Sequence, residues 1–245
     1  MSALLERRFA SIGARVKVRP AHNQGASSPF RVDVLRDEDG EYFDLWAGDL
    51  PVEVIDTDPA RRHLVLLVRN KDAKEKYLMG HDERHWFVAA VPGAGVKDVR
   101  SAVAALWPKE VPREDGIRQG EWIFRPIEGN PPGFDSRLIY HHEPLRRGRS
   151  KPHVAQELYR TGGVPVCVCS RFPNGVTESE MQAVIKKDPK ARTWGWQRMV
   201  RDASVFVRGA VRHSDHATVK LDGWHRVYLN NERFAAWAEK VVFLD

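Results

Sequence analysis

The stretch FRVDVLRDEDGEYFDLW, residues 30–46, alternates apolar and polar side chains on both sides of Asp39-Gly40. A period of two is the pattern of a half-buried strand, and Asp-Gly between two such runs is a strong hairpin signal. The same grammar recurs downstream. VEVIDTDPARRHLVLLVRN reads as two strands turning at Asp58-Pro59, KYLMGHDERHWFVAAVP as two short strands around a polar loop, and QGEWIFRPIE as one more. Helical spacing is rarer in this part. Leu5, Phe9 and Ile12 recur at helical intervals, and Val96, Val99, Val103 and Leu106 form one stripe that ends before Pro108. The N-terminal half is therefore expected to be mostly antiparallel sheet with one or two helices.

The pattern changes after residue 128. EGNPPGFDSRL is dense in Gly and Pro, and Arg146, Arg147, Arg149 and Lys151 place four cations within six positions. Turn residues and a composition shift predict a boundary near 129–150, between a β-rich domain over 1–140 and a basic α+β domain over 150–245. In the second part, Pro152 fits the first turn of a short helix PHVAQELYR that stops at Gly162-Gly163. VTESEMQAVIKK carries a capping box, Thr177 with Glu180, and a staple pair, Val176 with Met181. RTWGWQRMVRD reads as helical or irregular. SVFVRGAVRHSDHATVKLDGWHRVYLN reads as a three-stranded meander with its best turn at Asp222-Gly223. NERFAAWAEK and VVFLD are expected as a closing helix and strand. The fold class expected is α+β, with mixed helices and the meander in the C-terminal half.

No apolar run approaches the roughly 20 residues that span a bilayer, so no membrane partner is expected. The Arg-rich N-terminus lacks a secretory pattern and reads as an ordinary helix. Cys167 and Cys169 are the only cysteines. At i and i+2 of a strand they point the same way, a poor geometry for a disulfide, and two thiols cannot complete a four-thiolate zinc site. A reducing compartment, the cytoplasm, is the expectation. Net charge is +6, unevenly spread: residues 146–245 carry 18 Lys/Arg against 10 Asp/Glu, and residues 1–145 carry 21 against 23. The basic C-terminal half points to a polyanionic partner.

Two histidine groups invite a catalytic reading. HDERH, residues 81–85, spaces two histidines as zinc hydrolases do, with Asp82 in place of the glutamate. That chemistry needs a helix, and on a strand the two would sit about 13 Å apart. The flanking residues favour strand and loop, and no third ligand is recognisable. VRHSDHATVKLDGWHRV, residues 211–227, holds His213, Asp215, His216 and His225. With a turn at Asp222-Gly223, His225 faces Lys220, and if SDHA turns the chain back the alpha carbons of His213 and His225 lie roughly 12 Å apart, a stretched geometry for one small ion. No metal and no cofactor are therefore expected. Acid–base work on a phosphodiester remains open if His142 and His153 of the basic linker pack over the hairpin. HATV also fits the His-x-Thr pattern of two-motif phosphoesterases, but no second copy is present.

KKDPKARTWGWQRMVRD combines Lys186, Lys187, Lys190, Arg192, Arg198 and Arg201 with Trp194 and Trp196. Cations contact phosphates and exposed indoles stack on bases, the two requirements of a single-strand groove. A helix through this stretch would turn Trp196 to the core and Trp194 to solvent. Arg208 and Arg212 would extend the basic surface. The function expected is binding of RNA or single-stranded DNA through Arg146, Arg147, Arg149, Lys151 and these residues. The alternatives are a histidine-dependent nuclease or phosphoesterase using His213, Asp215, His216 and His225, and an interaction subunit for an acidic protein. No sequence feature fixes the oligomeric state.

Overall fold

The computed structural model describes residues 2–19, 30–70, 73–93, 95–146 and 151–232. It is mixed α and β, dominated by antiparallel sheets. Arg147, Arg149, the expected closing strand and all but the first two residues of the expected closing helix, 231–240, lie outside the described residues. The chain divides into two compact units, the first reaching Glu114 and regaining Gly120–Trp122 and the residues from Leu229, the second comprising Asp115–Gln119 and Ile123–Tyr228. The stretch 129–150, read from composition as a boundary, falls inside the second unit as far as it is described.

The first unit opens with helix α1 (Ser2–Ser11), whose Leu5 and Phe9 are buried, as is Ile12 just beyond it. Strands β1 (Val16–Arg19), β2 (Arg31–Asp37) and β3 (Gly40–Trp46) form a sheet in the order β1-β3-β2, in which β1 runs parallel to β3. The hairpin turn is Glu38-Asp39, one residue earlier than the Asp-Gly dipeptide suggests, because Asp37 pairs with Gly40. Strands β4 (Val52–Asp58), β5 (His63–Arg69), β6 (Lys74–Asp82) and β7 (His85–Val91) follow as a four-stranded antiparallel meander. β5 is apolar on both faces because both are covered. Leu64, Leu66 and Val68 join a core with Phe9, Phe43 and Met79, while Val65 joins Leu78, Ala89 and residues of helix α2 (Val99–Leu106). Asp98 caps α2 by accepting from Ser101 N at 2.7 Å, and Asp56 accepts from Val99 N at 2.7 Å. HDERH lies on the β6–β7 hairpin, where His85 contacts Glu41 at 2.6 Å and His81 packs edge-on against Trp86.

The second unit holds two sheets. The larger orders its strands β10-β11-β15-β16-β9-β8, from β8 (Ile117–Gln119), β9 (Trp122–Pro126), β10 (Tyr140–Leu145), β11 (His153–Thr161), β15 (Ser204–Arg212) and β16 (Val219–Leu229). The smaller orders β13 (Phe172–Val176), β12 (Val164–Cys169) and β14 (Gln197–Arg201), with helix α3 (Glu178–Lys187) following β13. Thr177 and Glu180 form the expected capping box of α3. Cys167 and Cys169 are free and buried on β12.

Three expectations are corrected. PHVAQELYR is not a helix but β11, flanked on both sides by β10 and β15. Its Ala, Gln, Glu and Leu favour helix locally, but pairing on two edges and burial of Ala155, Leu158 and Tyr159 override that preference. The meander has two strands here, not three. Pairing runs Gly209 with Leu221 and then Val207 with His225, so Asp222, Gly223 and Trp224 bulge opposite Arg208. Gly223 supplies a φ of +77°, which serves a bulge as well as a turn. Finally, RTWGWQRMVRD is not helical beyond Thr193: a 3₁₀ turn, Pro189–Thr193, leads into β14.

Candidate functional site

The bulge changes the histidine geometry. Without a turn at Asp222-Gly223, His225 stays within β16, is 4% exposed, and places Nδ1 3.2 Å from Gly223 O. It stands apart from the other histidines. His213 follows the last residue of β15, and Asp215 and His216 lie in the loop to β16. Because β11 runs antiparallel to β15, with Val154 opposite Arg212, the first residue of β11 meets the end of β15. That residue is His153, buried at 1% exposure. Its ring stacks on His213 at 4.1 Å between centroids and on His216 at 5.6 Å, and His213 lies 4.8 Å from His216.

The loop is held from three directions. Lys151 Nζ donates to both carboxylate oxygens of Asp215, at 2.8 and 2.9 Å, and Ser214 Oγ donates at 3.0 Å. Gln119 Nε2, from β8, donates to Ala217 O at 2.6 Å and Val211 O at 3.3 Å. Asp215 N–H donates to His213 Nδ1 at 3.1 Å, and His213 Nε2 faces Lys151 O at 3.3 Å. The Lys151 ammonium holds the Asp215 carboxyl below the usual carboxylate range. Burial, reinforced by the neighbouring imidazoles, pushes the His153 imidazole down to about 3, so it is neutral at pH 7. The structure therefore gathers His213, Asp215 and His216, adds Lys151 and His153, and leaves His225 out.

The basic surface is narrower than the sequence suggests. Arg208 is bound to Glu157 and lies over the Trp224 ring. Arg201 donates to Asn174 O and Gly175 O at 3.1 and 3.0 Å, and Arg198 sits 3.4 Å from Glu178. Lys151 is engaged with Asp215. Arg146 and Arg212 are exposed. Lys186 and Lys187 end α3, Lys190 and Arg192 belong to the 3₁₀ turn, and all four are exposed without an ion pair among the described residues.

The aromatic residues depart most from expectation. Trp194 and Trp196 are both half-buried and both stack on Phe172, at 6.3 and 5.6 Å. Trp196 Nε1 donates to Ala191 O at 2.8 Å. The exposed Arg171 places its guanidinium 4.2 Å above the Trp194 ring. No sequence pattern singles out Arg171 and Phe172. Their pairing with the tryptophans arises only when β13 and β14 flank β12. No family model, curated protein or solved structure matches this chain.

Proposed function

We propose that the protein binds RNA or single-stranded DNA through the smaller sheet of its second unit. The observation that supports this reading is the ring stack of Phe172, Trp194 and Trp196, overlain by Arg171 and adjoining in sequence the exposed cations of Lys186, Lys187, Lys190 and Arg192. Indole faces accept stacked bases of any sequence, and exposed cations neutralise the phosphates between them. Arg146 and Arg212 add charge elsewhere on the unit. The buried free thiols of Cys167 and Cys169 fit the reducing cytoplasm.

Titration of the full chain with poly-uridine and poly-deoxythymidine strands, followed by tryptophan fluorescence across a salt series, tests the reading. Quenching should accompany binding, and affinity should fall steeply with salt. Absence of binding at low salt, or affinity indifferent to salt, overturns it. A second reading, histidine-dependent phosphodiester hydrolysis on the same unit, draws on the convergence of His153, His213 and His216. It requires strand cleavage that is lost in His213→Ala while binding persists.

A further inference from the structure

The imidazoles of His153, His213 and His216 present ring nitrogens that all lie within 4.8 Å of one another. Three elements bring them there. β11 supplies His153 at its first position, the end of β15 supplies His213, and the loop tied down by Gln119 and Lys151 supplies His216 three residues later. We propose that these three histidines form a site for one borderline divalent transition ion of the zinc type, with three imidazole nitrogens and an open fourth position.

The ligand set selects the class of ion. Neutral imidazole suits zinc, copper and nickel, whereas magnesium and calcium take oxygen ligands. His153 is buried at the first position of β11, which fixes one ligand in place. Metal–nitrogen bonds of about 2.0–2.1 Å in a tetrahedron separate ligand nitrogens by about 3.4 Å. The present spread closes to that value with ring movements of roughly an ångström. A metal must also lie in the plane of each ring it binds, and the rings are stacked, with interplanar angles of 18–29°. Two of them must therefore turn about χ2, which is a soft torsion for histidine. His213 and His216 are loop residues and only partly buried, so the turn falls to them, and His153 stays fixed. Turning His213 gives up its contacts with Asp215 N–H and Lys151 O. The Asp215 carboxylate, already anchored by Lys151, then stands beside the ring as the acceptor that metal-bound histidines commonly use for their second N–H.

Three protein ligands with one open position is the arrangement of catalytic rather than structural zinc. The open position takes a water or an anionic oxygen. The sequence conceals this site because it lacks the short, clustered spacing of structural zinc motifs. Sixty residues separate Val154, next to His153, from Ser214, next to His213, and only the β11–β15 pairing closes the gap.

The test uses the full chain, stripped with a chelator and dialysed. Zn2+ is titrated in competition with a chromophoric chelator, and Co2+ is added separately to record its visible spectrum. Wild type should take up one Zn2+ per chain, show the intense bands of four-coordinate Co2+, and gain several degrees in thermal midpoint with Zn2+. The double variant His213→Ala, His216→Ala should lose all three responses while keeping the metal-free urea midpoint within experimental error. His141→Ala, an exposed histidine outside the cluster, should retain them. Equal uptake by wild type and the double variant, or only the weak bands of six-coordinate Co2+ in wild type, overturns the site. Oligonucleotide binding measured with chelator present reads the smaller sheet separately, so failure of either proposal is seen on its own.

Discussion

The indoles of Trp194 and Trp196 stack 6.2 Å apart with 29° between their planes, on the same side of the chain. A helix would have sent them about 200° apart. They share a face because the chain leaves its 3₁₀ turn at Trp194, passes Gly195 with φ +68°, and enters β14. Both rings are half-buried, so neither is purely a core anchor. Their roles separate by what holds each. Trp196 has the hydrogen bond to Ala191 O and the closer contact with Phe172, while Trp194 carries the Arg171 guanidinium. Trp194→Ala should lower single-strand affinity by roughly 1 to 3 kcal/mol, the worth of one stacked base. Trp196→Ala should lower stability by about 2 to 3 kcal/mol, below the range for fully buried aromatics. Urea melts paired with oligonucleotide titrations measure both; Trp194→Ala binding as wild type does would remove it from the interface.

Charge removal should discriminate between cations that have partners and those that do not. Lys186→Ala, Lys187→Ala and Lys190→Ala together should flatten the plot of log affinity against log salt by roughly 0.7 to 0.9 for each phosphate left without its cation. Arg198→Ala and Arg208→Ala remove guanidiniums placed on Glu178 and Glu157, and should leave that slope unchanged. If the arginine variants change the slope and the lysine variant does not, the basic surface lies on the sheets rather than at the end of α3.

How much of the fold and the site is legible in the sequence depends on how far each residue's partners lie along the chain. The capping box of α3 is written within four residues, and the alternation of β2 within seven, so both read directly. The unbroken apolar run of β5 also signals a strand covered on both faces. β11 does not read as a strand, because what makes it one is pairing with Tyr140–Leu145 and Ser204–Arg212. Asp222-Gly223 reads equally as turn or bulge, since both need a positive φ at the glycine. Which arginines are neutralised is equally hidden, since Glu178 lies 20 residues from Arg198 and Glu157 51 from Arg208. The sequence could nominate His213, Asp215 and His216, which share one loop, but not the β-pairing that adds His153 and excludes His225.

Adjacent glycines at the entry to β12 should respond differently to the same substitution. Gly162 and Gly163 have φ values of +70° and +90°. A Cβ on Gly162 meets nothing within 4 Å, so Gly162→Ala should cost only the left-handed backbone penalty of about 1 to 2 kcal/mol. A Cβ on Gly163 lies 2.6 Å from Val200 Cγ1 and 2.8 Å from Arg201 O, and backbone cannot step aside as a side chain can. Gly163→Ala should cost a further 1 to 3 kcal/mol or so from overpacking. It should also weaken oligonucleotide binding, because β14 follows the tryptophans directly. Equal urea midpoints for the two variants would show that β12 and β14 yield enough to admit the methyl group.

The acid limb of the stability curve should carry the signature of Asp37. Arg15 donates to its two oxygens at 2.8 and 2.9 Å and Lys17 adds a third contact at 2.8 Å. The Arg15 hydrogen bonds, followed by that of Lys17, hold the Asp37 carboxyl far below its ordinary value near 3.9. The native state therefore releases this proton more readily than the unfolded chain does. A group whose folded pKa is depressed contributes stability above its unfolded pKa and loses it as pH falls through that value towards the folded one. Asp37→Asn should lower the urea midpoint at pH 7, and the gap to wild type should shrink steadily below about pH 4. High salt should narrow the gap at pH 7 as well, since these side chains are partly exposed and screened. Urea melts of both proteins from pH 7 to pH 2.5 measure it. A gap that stays constant on acidification would mean that the asparagine acts through packing of the β2–β3 hairpin rather than through the charge it removes.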